Sequence, residues 1–203
     1  MCGRFTLTKP AALASAFPRF RFPEFSETRL PRYNIAPAQD VLGVRNDGRN
    51  VAEALRWGIR GRINIRAESI LARRAPIRQR CIEFADGFYE WSNRRPFYYT
   101  LKSGRPFALA GLWDALDGTV GCDVATCEPN ALVAPVHDRM PVILADSAVD
   151  LWLDPDPLPP EAAGSILRPL DAELMDVREV STRVNNANYD EADALAPADP
   201  RLL

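Results

Sequence analysis

Apolar and polar residues alternate over short stretches along most of this chain, and only a few stretches carry helical spacing. The first alternating run, Phe5-Thr6-Leu7, reads as a short strand. Pro10 stands where a helix over 11–17 can begin, because a first helical turn leaves its N–H unused and proline has none. Pro18, Pro23 and Pro31 make the next stretch loop-like. Apolar and β-branched residues return at 41–45 and 51–57 around Asn46-Asp47-Gly48, a hairpin signal because these residues tolerate positive φ. Residues 67–74 are helical in composition and are stopped by Pro76. Strands are expected at 81–84, 88–91, 97–101 and 107–113, with Ser103-Gly104 turning between the last two. Two more follow at 120–126 and 142–144. Helices at 147–153 and 161–167 flank the proline-rich stretch 154–160, and a last strand is expected at 177–180. After Tyr189 the chain is rich in Ala, Asp and Pro, which predicts a loose, flexible tail over 191–203. No repeat is visible. Strand signals in the middle with scattered helices predict an α+β domain with a curled antiparallel sheet.

Composition narrows the class. With 203 residues, 47% of them apolar and 26% charged, the chain can bury one full core and reads as one soluble domain. No apolar run approaches the ~20 residues of a membrane span, and the start has no apolar segment of a secretory signal. The four cysteines (Cys2, Cys81, Cys122, Cys127) are spaced too irregularly for a zinc framework, so a reduced, cytoplasmic setting is expected. The net charge of −2 hides an asymmetry: residues 45–105 hold 14 basic against 6 acidic side chains, and residues 146–203 hold 4 against 13. Only Lys9 and Lys102 are lysines; the other basic residues are arginines, which fork onto phosphate. A basic middle is compatible with a polyanion groove and equally with a solvated charged surface.

Four places could carry chemistry. Cys2 becomes the N-terminus if Met1 is removed, and one residue then offers an amine of pKa near ~8 and a thiol near ~8.5. Such an aminothiol condenses with an aldehyde to an imine and closes it to a thiazolidine; position alone leaves open that Cys2 is incidental. His137 is the only histidine, set in Pro135-Val136-His137-Asp138-Arg139-Met140-Pro141, a polar insertion between prolines. A lone histidine is more often structural, but this one sits in a placed loop and suits proton transfer. Glu90 lies among aromatics in Gly87-Phe88-Tyr89-Glu90-Trp91, sharing a strand face with Phe88. Burial there raises a carboxyl pKa, as a general acid needs, whereas an exposed strand edge would leave it ordinary. Asn64 and Arg66 share one side of an extended segment, an amide and a guanidinium suited to a sugar and its phosphate or simply to a polar loop.

Seven stretches, in order, resemble the SRAP (SOS response-associated peptidase) family. They are Met1-Cys2-Gly3-Arg4-Phe5, Arg32-Tyr33-Asn34-Ile35-Ala36-Pro37, Trp57-Gly58, Asn64-Ile65-Arg66-Ala67-Glu68, Phe84-Ala85-Asp86-Gly87-Phe88-Tyr89-Glu90-Trp91, Ala110-Gly111-Leu112-Trp113 and His137-Asp138-Arg139-Met140-Pro141. The resemblance implies a single compact SRAP-like domain over 1–190 with a barrel-like, mainly antiparallel β core and peripheral helices. It also implies a groove for single-stranded DNA and a covalent thiazolidine crosslink between Cys2 and abasic sites. On the matching motifs, Cys2 is the nucleophile, Asn64 holds the thiazolidine, Glu90 shuttles protons and His137 is the active-site histidine. Arg4 and Arg66 hold the DNA backbone, and Asn34 and Pro37 belong to the loop lining the site. The reading calls for no metal, organic cofactor or membrane and expects a monomer; autoproteolytic loss of Met1 would explain the family's peptidase name, and a Schiff base at an abasic site can also drive a lyase side reaction. An N-terminal-nucleophile amidohydrolase and a non-catalytic single-strand-binding module are the alternatives. One departure stands out: only Ile59-Arg60-Gly61-Arg62-Ile63 separates Gly58 from Asn64, so the aromatic wedge of a longer loop is missing and two arginines replace it.

Overall fold

The alternating runs fold as strands in a computed structural model that describes residues 2–22 and 30–198. In chain order these are β1 (Arg4–Leu7), β2 (Arg32–Ile35), β3 (Asp40–Arg45), β4 (Glu53–Trp57), β5 (Asn64–Arg66) and β6 (Arg80–Ala85). They continue as β7 (Gly87–Ser92), β8 (Arg95–Leu101), β9 (Phe107–Leu116), β10 (Thr119–Cys127), β11 (Met140–Pro141) and β12 (Met175–Glu179). Strands β3, β4, β10, β9 and β6 close into a five-stranded ring, antiparallel throughout except between β4 and β10. The other sheet, β12-β8-β7-β1-β2, is antiparallel throughout. Short helices α1 (Leu13–Ala16), α2 (Ala67–Leu71), α3 (Asp146–Leu153) and α4 (Pro160–Ala163) sit around them. The α+β class, the barrel-like antiparallel core and the peripheral helices expected from the sequence are all present.

The ring closes because β10 serves two edges. Asp117 and Gly118 both take positive φ (50° and 79°), and their turn returns β10 along β9 with Thr119 opposite Leu116. The other edge of β10 meets β4 at Gly121 and Cys122, then β5 from Val124 to Thr126. That pairing holds Asn64 and Arg66 in extended backbone beside the core.

The chain passes from barrel to sheet through one residue, Asp86, between β6 and β7. Its carboxylate accepts from Thr6 Oγ1 (2.6 Å), Thr8 N (2.6 Å), Thr8 Oγ1 (2.8 Å) and Lys9 N (2.8 Å), so the end of β1 is tied to this corner. Gly87 follows because a Cβ there would lie 2.3 Å from the Tyr98 ring. Tyr98 in turn shares a 2.9 Å hydrogen bond with Thr6. Alternation in β7 sends Phe88 into the main core with Tyr99, and Tyr89 into a smaller cluster with Tyr98 and Val184.

Several elements differ from the sequence pattern. Ser103-Gly104 does turn the chain, but β8 and β9 lie in different sheets and form no hairpin. Strand β2 was not foreseen; its short run beside Pro31 is held by β1 on one side and by the Asp190 carboxylate, which accepts from Tyr33 N (2.5 Å) and Asn34 N (2.8 Å). Residues 142–144 are no regular strand, although Ala110 N donates to Val142 O and Leu144 N to Ala108 O, both at 2.9 Å, between this segment and β9. The expected helices 67–74 and 161–167 are cut to α2 and α4. Within 191–198 two points touch the body of the protein: Ala194 is fully buried and Ser181 N donates to Ala196 O at 2.9 Å. Met1, Pro23 and tail residues 199–203 lie outside the described residues.

Replacing Asp86 by Ala should strand two backbone N–H groups and two hydroxyls at once. The expected cost is about 3 kcal/mol in urea unfolding, since hydrogen bonds to charged groups are the strong ones. A loss under about 0.5 kcal/mol would show that the corner holds without the carboxylate.

Candidate active site

Strand β1 lies between β2 and β7, with Arg4 opposite Tyr89 and Phe5 opposite Phe88. The residues just before it therefore enter the molecule beside Glu90. Cys2 is fully buried in the main core, and its carbonyl accepts a 2.9 Å hydrogen bond from Asn64 Nδ2. Asn64 Oδ1 is also buried, with no hydrogen-bond partner. The β5–β10 pairing thus presents an amide whose donor is used on Cys2 and whose acceptor is left open next to it.

Glu90 projects from the same face of β7 as Phe88 and is 2% exposed. Burial lifts its carboxyl from the ordinary range to about 8, with negative Asp138 pushing the same way. Burial pushes the Cys2 thiol well above its usual value, and Glu90 adds to that rise. His137 faces Glu90 from the segment before β11, with Nε2 3.8 Å from Glu90 Oε2. Its Nδ1 accepts from Arg139 N at 2.9 Å, and burial holds the imidazole below its ordinary value. Cys2, Asn64, Glu90 and His137 are thus brought together from β1's entry, β5, β7 and the loop before β11. Their combination can move protons at near-neutral pH: a carboxyl titrating near 8 beside an imidazole that stays neutral.

The residues expected to contact DNA fall into two groups. Arg66 is exposed on β5, and Pro37 is half-buried in the turn after β2, where Ala38 takes a φ of 63°. Arg4 is tied inward: Nη1 donates to Asn34 Oδ1 (2.8 Å) and to Val184 O (2.9 Å), and its guanidinium lies 5.8 Å from the centre of the Trp91 ring. Asn34 is fully buried, and its Nδ2 donates to Val184 O, Asn186 O and Tyr189 O. In this arrangement Asn34 fastens the C-terminal segment beneath Arg4 and presents no surface.

The basic middle is also less free than its count suggests. Arg45 and Arg49 pair with Glu53, Arg60 with Asp114, Arg62 with Asp123, Arg95 with Glu179 and Arg105 with Asp146. Arg80 is fully buried and donates to the carbonyls of Trp152 (2.7 Å) and Asp156 (2.8 Å). Both arginines of the short loop 59–63 thus carry an acidic partner.

Three features escaped sequence reasoning. Tyr99 is fully buried on β8, stacks on Phe88 at 4.9 Å and leaves its hydroxyl without a hydrogen-bond partner on the Glu90 side of the sheet. Glu68 pairs with Arg139, joining two of the matching motifs. Glu83 is fully buried in the barrel beside Cys81 and Cys122, where burial lifts it to about 8. Strand β6 is buried on both faces, so alternation between Ile82 and Phe84 gave no sign that Glu83 would be enclosed. A polar cleft of about 720 Å³ between β2, β3, β4 and residues 187–190 includes none of the four catalytic candidates.

The comparisons with known proteins fit this arrangement. The profile of the SOS response associated peptidase (SRAP) family matches residues 1–187, and this chain belongs to that family. It is 37% identical to the abasic site processing protein YoaM of Bacillus subtilis, over 96% of this chain and 97% of that one. It is 26% identical to the abasic site processing protein HMCES of Pongo abelii, over 98% of this chain and 77% of that one. Among solved structures, a Bacteroides thetaiotaomicron protein shares the fold with a TM-score of 0.83 at 21% identity, over 98% of this chain and 100% of that one. A phage-related protein from Bordetella bronchiseptica is 28% identical with a TM-score of 0.67, over 88% and 94% of the two chains.

A group whose pKa is raised on folding stabilises the protein below its unfolded value and loses that contribution as pH climbs through the folded one. For Glu83 the window runs from 4.5 to about 8. The stability difference between wild type and Glu83→Gln should therefore shift toward the variant across that window, by on the order of 4 kcal/mol. Urea unfolding at pH 5 and pH 8 measures it; a constant difference would mean that Glu83 keeps an ordinary pKa.

Proposed function

We propose that this protein processes abasic sites in single-stranded DNA by forming a covalent thiazolidine through Cys2 once Met1 has been removed. The observation that carries this reading is the buried Cys2 held by Asn64, with the open Asn64 Oδ1 and the Glu90–His137 pair beside it. Relatives named abasic site processing proteins support the substrate class.

The chemistry follows from the local electrostatics. Burial keeps the thiol protonated, so the freed amine reacts first with the C1′ aldehyde of the ring-opened sugar. The carbinolamine loses water as a proton is delivered to its hydroxyl, a task for Glu90 or for His137 beside it. The iminium that forms brings the positive charge that a buried thiolate needs. Sulfur then adds to the imine carbon as Glu90 takes its proton. Aldehyde and aminothiol thus become thiazolidine and one water, with no oxidant and no cofactor. Asn64 Oδ1 offers an acceptor for the N–H of the ring. Arg66, exposed on the same strand as Asn64, takes the flanking phosphate in this reading, and a Schiff base at this position can also drive β-elimination as a weak lyase activity. Removal of Met1 by the protein itself fits the peptidase in the family's name.

Intact mass before and after incubation with an abasic oligonucleotide tests this directly. Wild type should lose Met1 and gain the oligonucleotide as a heat-stable adduct. Cys2→Ser should give only a borohydride-trappable imine, because its hydroxyl cannot close the sulfur ring. A stable adduct mapped to another residue in Cys2→Ala would overturn the reading, and turnover of small amides without any adduct would favour an amidohydrolase.

The short loop 59–63 sets a second expectation. It supplies no aromatic wedge, and Arg60 and Arg62 are held by Asp114 and Asp123. Abasic sites in a plain single strand should therefore crosslink within about threefold of the rate at a single-strand/duplex junction, since a stacking contact contributes ~1–3 kcal/mol where one exists. A junction preference above about tenfold, in single-turnover rates on matched oligonucleotides, would mean that another segment supplies the wedge.

A further inference from the structure

The imidazole of His137 has three close polar contacts at one nitrogen. Nδ1 lies 2.9 Å from the N–H of Arg139, 3.1 Å from Asp138 Oδ1 and 3.2 Å from Arg139 O. The first contact needs a lone pair on Nδ1 and sends the neutral ring's proton to Nε2, the nitrogen that faces Glu90 at 3.8 Å. The other two are acceptors and would draw the proton to Nδ1, leaving a bare Nε2 toward Glu90. One backbone donor therefore competes with two oxygens for the tautomer, and the outcome depends on how firmly the Arg139 peptide is held.

It is held by its own side chain. The Arg139 guanidinium donates to both oxygens of Glu68, at 2.7 and 2.8 Å, and to Thr126 O at 2.5 Å. The fork geometry fixes direction as well as distance. Glu68 stands in the first turn of α2, immediately after β5, and Thr126 lies in β10 opposite Arg66. The same clasp therefore ties the strand that carries Asn64 to the segment that carries His137. The pair is ionised at neutral pH, since Arg139 holds the Glu68 carboxyl below its ordinary value.

We propose that the Glu68–Arg139 ion pair is a positioning device for the proposed reaction: by fixing the Arg139 peptide it locks His137 in the Nε2–H tautomer, aimed at Glu90. This rests on the crosslinking role proposed above for His137. Neither Glu68 nor the Arg139 guanidinium touches the reacting atoms; both act through the imidazole.

His137 is the only histidine of the chain, so its ring nitrogens can be observed without overlap in 15N-labelled protein. At pH 8, wild type should show one neutral Nε2–H tautomer, and Glu68→Ala a mixture. Single-turnover crosslinking to an abasic single strand should fall roughly ten- to a hundredfold in Glu68→Ala, the scale expected when a catalytic group is misplaced by about 1 Å. Binding to an intact single strand should stay within twofold. Glu68→Ala should cost nothing further when His137 is already Ala, because a positioning residue has no effect once its target is gone. Glu68→Gln, which keeps one acceptor for Arg139, covers the case in which the alanine variant does not fold, and should give an intermediate tautomer ratio. A single Nε2–H tautomer in the variants overturns the proposal. A disturbed tautomer with an unchanged crosslinking rate supports the positioning and instead removes His137 from the reaction.

Discussion

The structure depends on β1 being an interior strand. Its four residues pair with β2 on one side and β7 on the other, so both edges of the strand are covered. Cys2 and Phe5 are fully buried, and Phe5 packs against Trp57 of the barrel at 4.8 Å between ring centres. Asp86 secures the far end of the strand through four hydrogen bonds. With both edges and one end fixed, Cys2 has one place to go. It meets Asn64 from the barrel side and Glu90 from the sheet side, so the two sheets share the site.

That placement comes with a free-energy penalty the protein retains. A carboxyl at 2% exposure is disfavoured as an anion, and its pKa of about 8 records the penalty. Glu83 shows the same rise deeper in the barrel, where the Cys81 thiol donates to it at 3.2 Å. The two acids differ in access to a reaction. Glu90 lies beside Cys2 and His137, whereas Glu83 is enclosed by β9 so closely that a Cβ on Gly111 would meet its carboxyl at 2.4 Å. A raised pKa by itself therefore does not pick out the acid of the site; the neighbours do.

The arginines show how pairing changes the meaning of a charge count. The excess between residues 45 and 105 suggested an open basic face, but most of those side chains meet an acidic partner or, as Arg80 does, backbone carbonyls. Arg66 remains exposed on the strand that also carries Asn64. Arg73, Arg74, Arg78 and Arg94 are exposed as well, so the free positive charge of this stretch rests on fewer side chains than its count, carried mostly outside the ion pairs.

The sequence by itself determined most of the strands and named the candidate residues of the site. Period-two alternation assigned Phe88 and Glu90 to one face of β7 and Tyr89 to the other, because successive side chains of a strand must point to opposite sides. Seven ordered motifs were enough to indicate the family and a barrel-like core. They could not give the pairing partners, since hydrogen bonds between strands far apart in sequence leave no local signal. Thus β8 and β9, joined by a visible turn, went to different sheets, and β2 escaped notice because Asp190, more than 150 residues away, satisfies its edge. Only the tertiary structure showed that Asn34 holds the C-terminal segment rather than lining a surface, that Ala194 is buried near the end of the chain, and that Glu68 reaches Arg139. Each of these is a long-range contact made by a residue whose local neighbours are uninformative, and burial, charge pairing and register are properties of the folded chain rather than of any stretch of it.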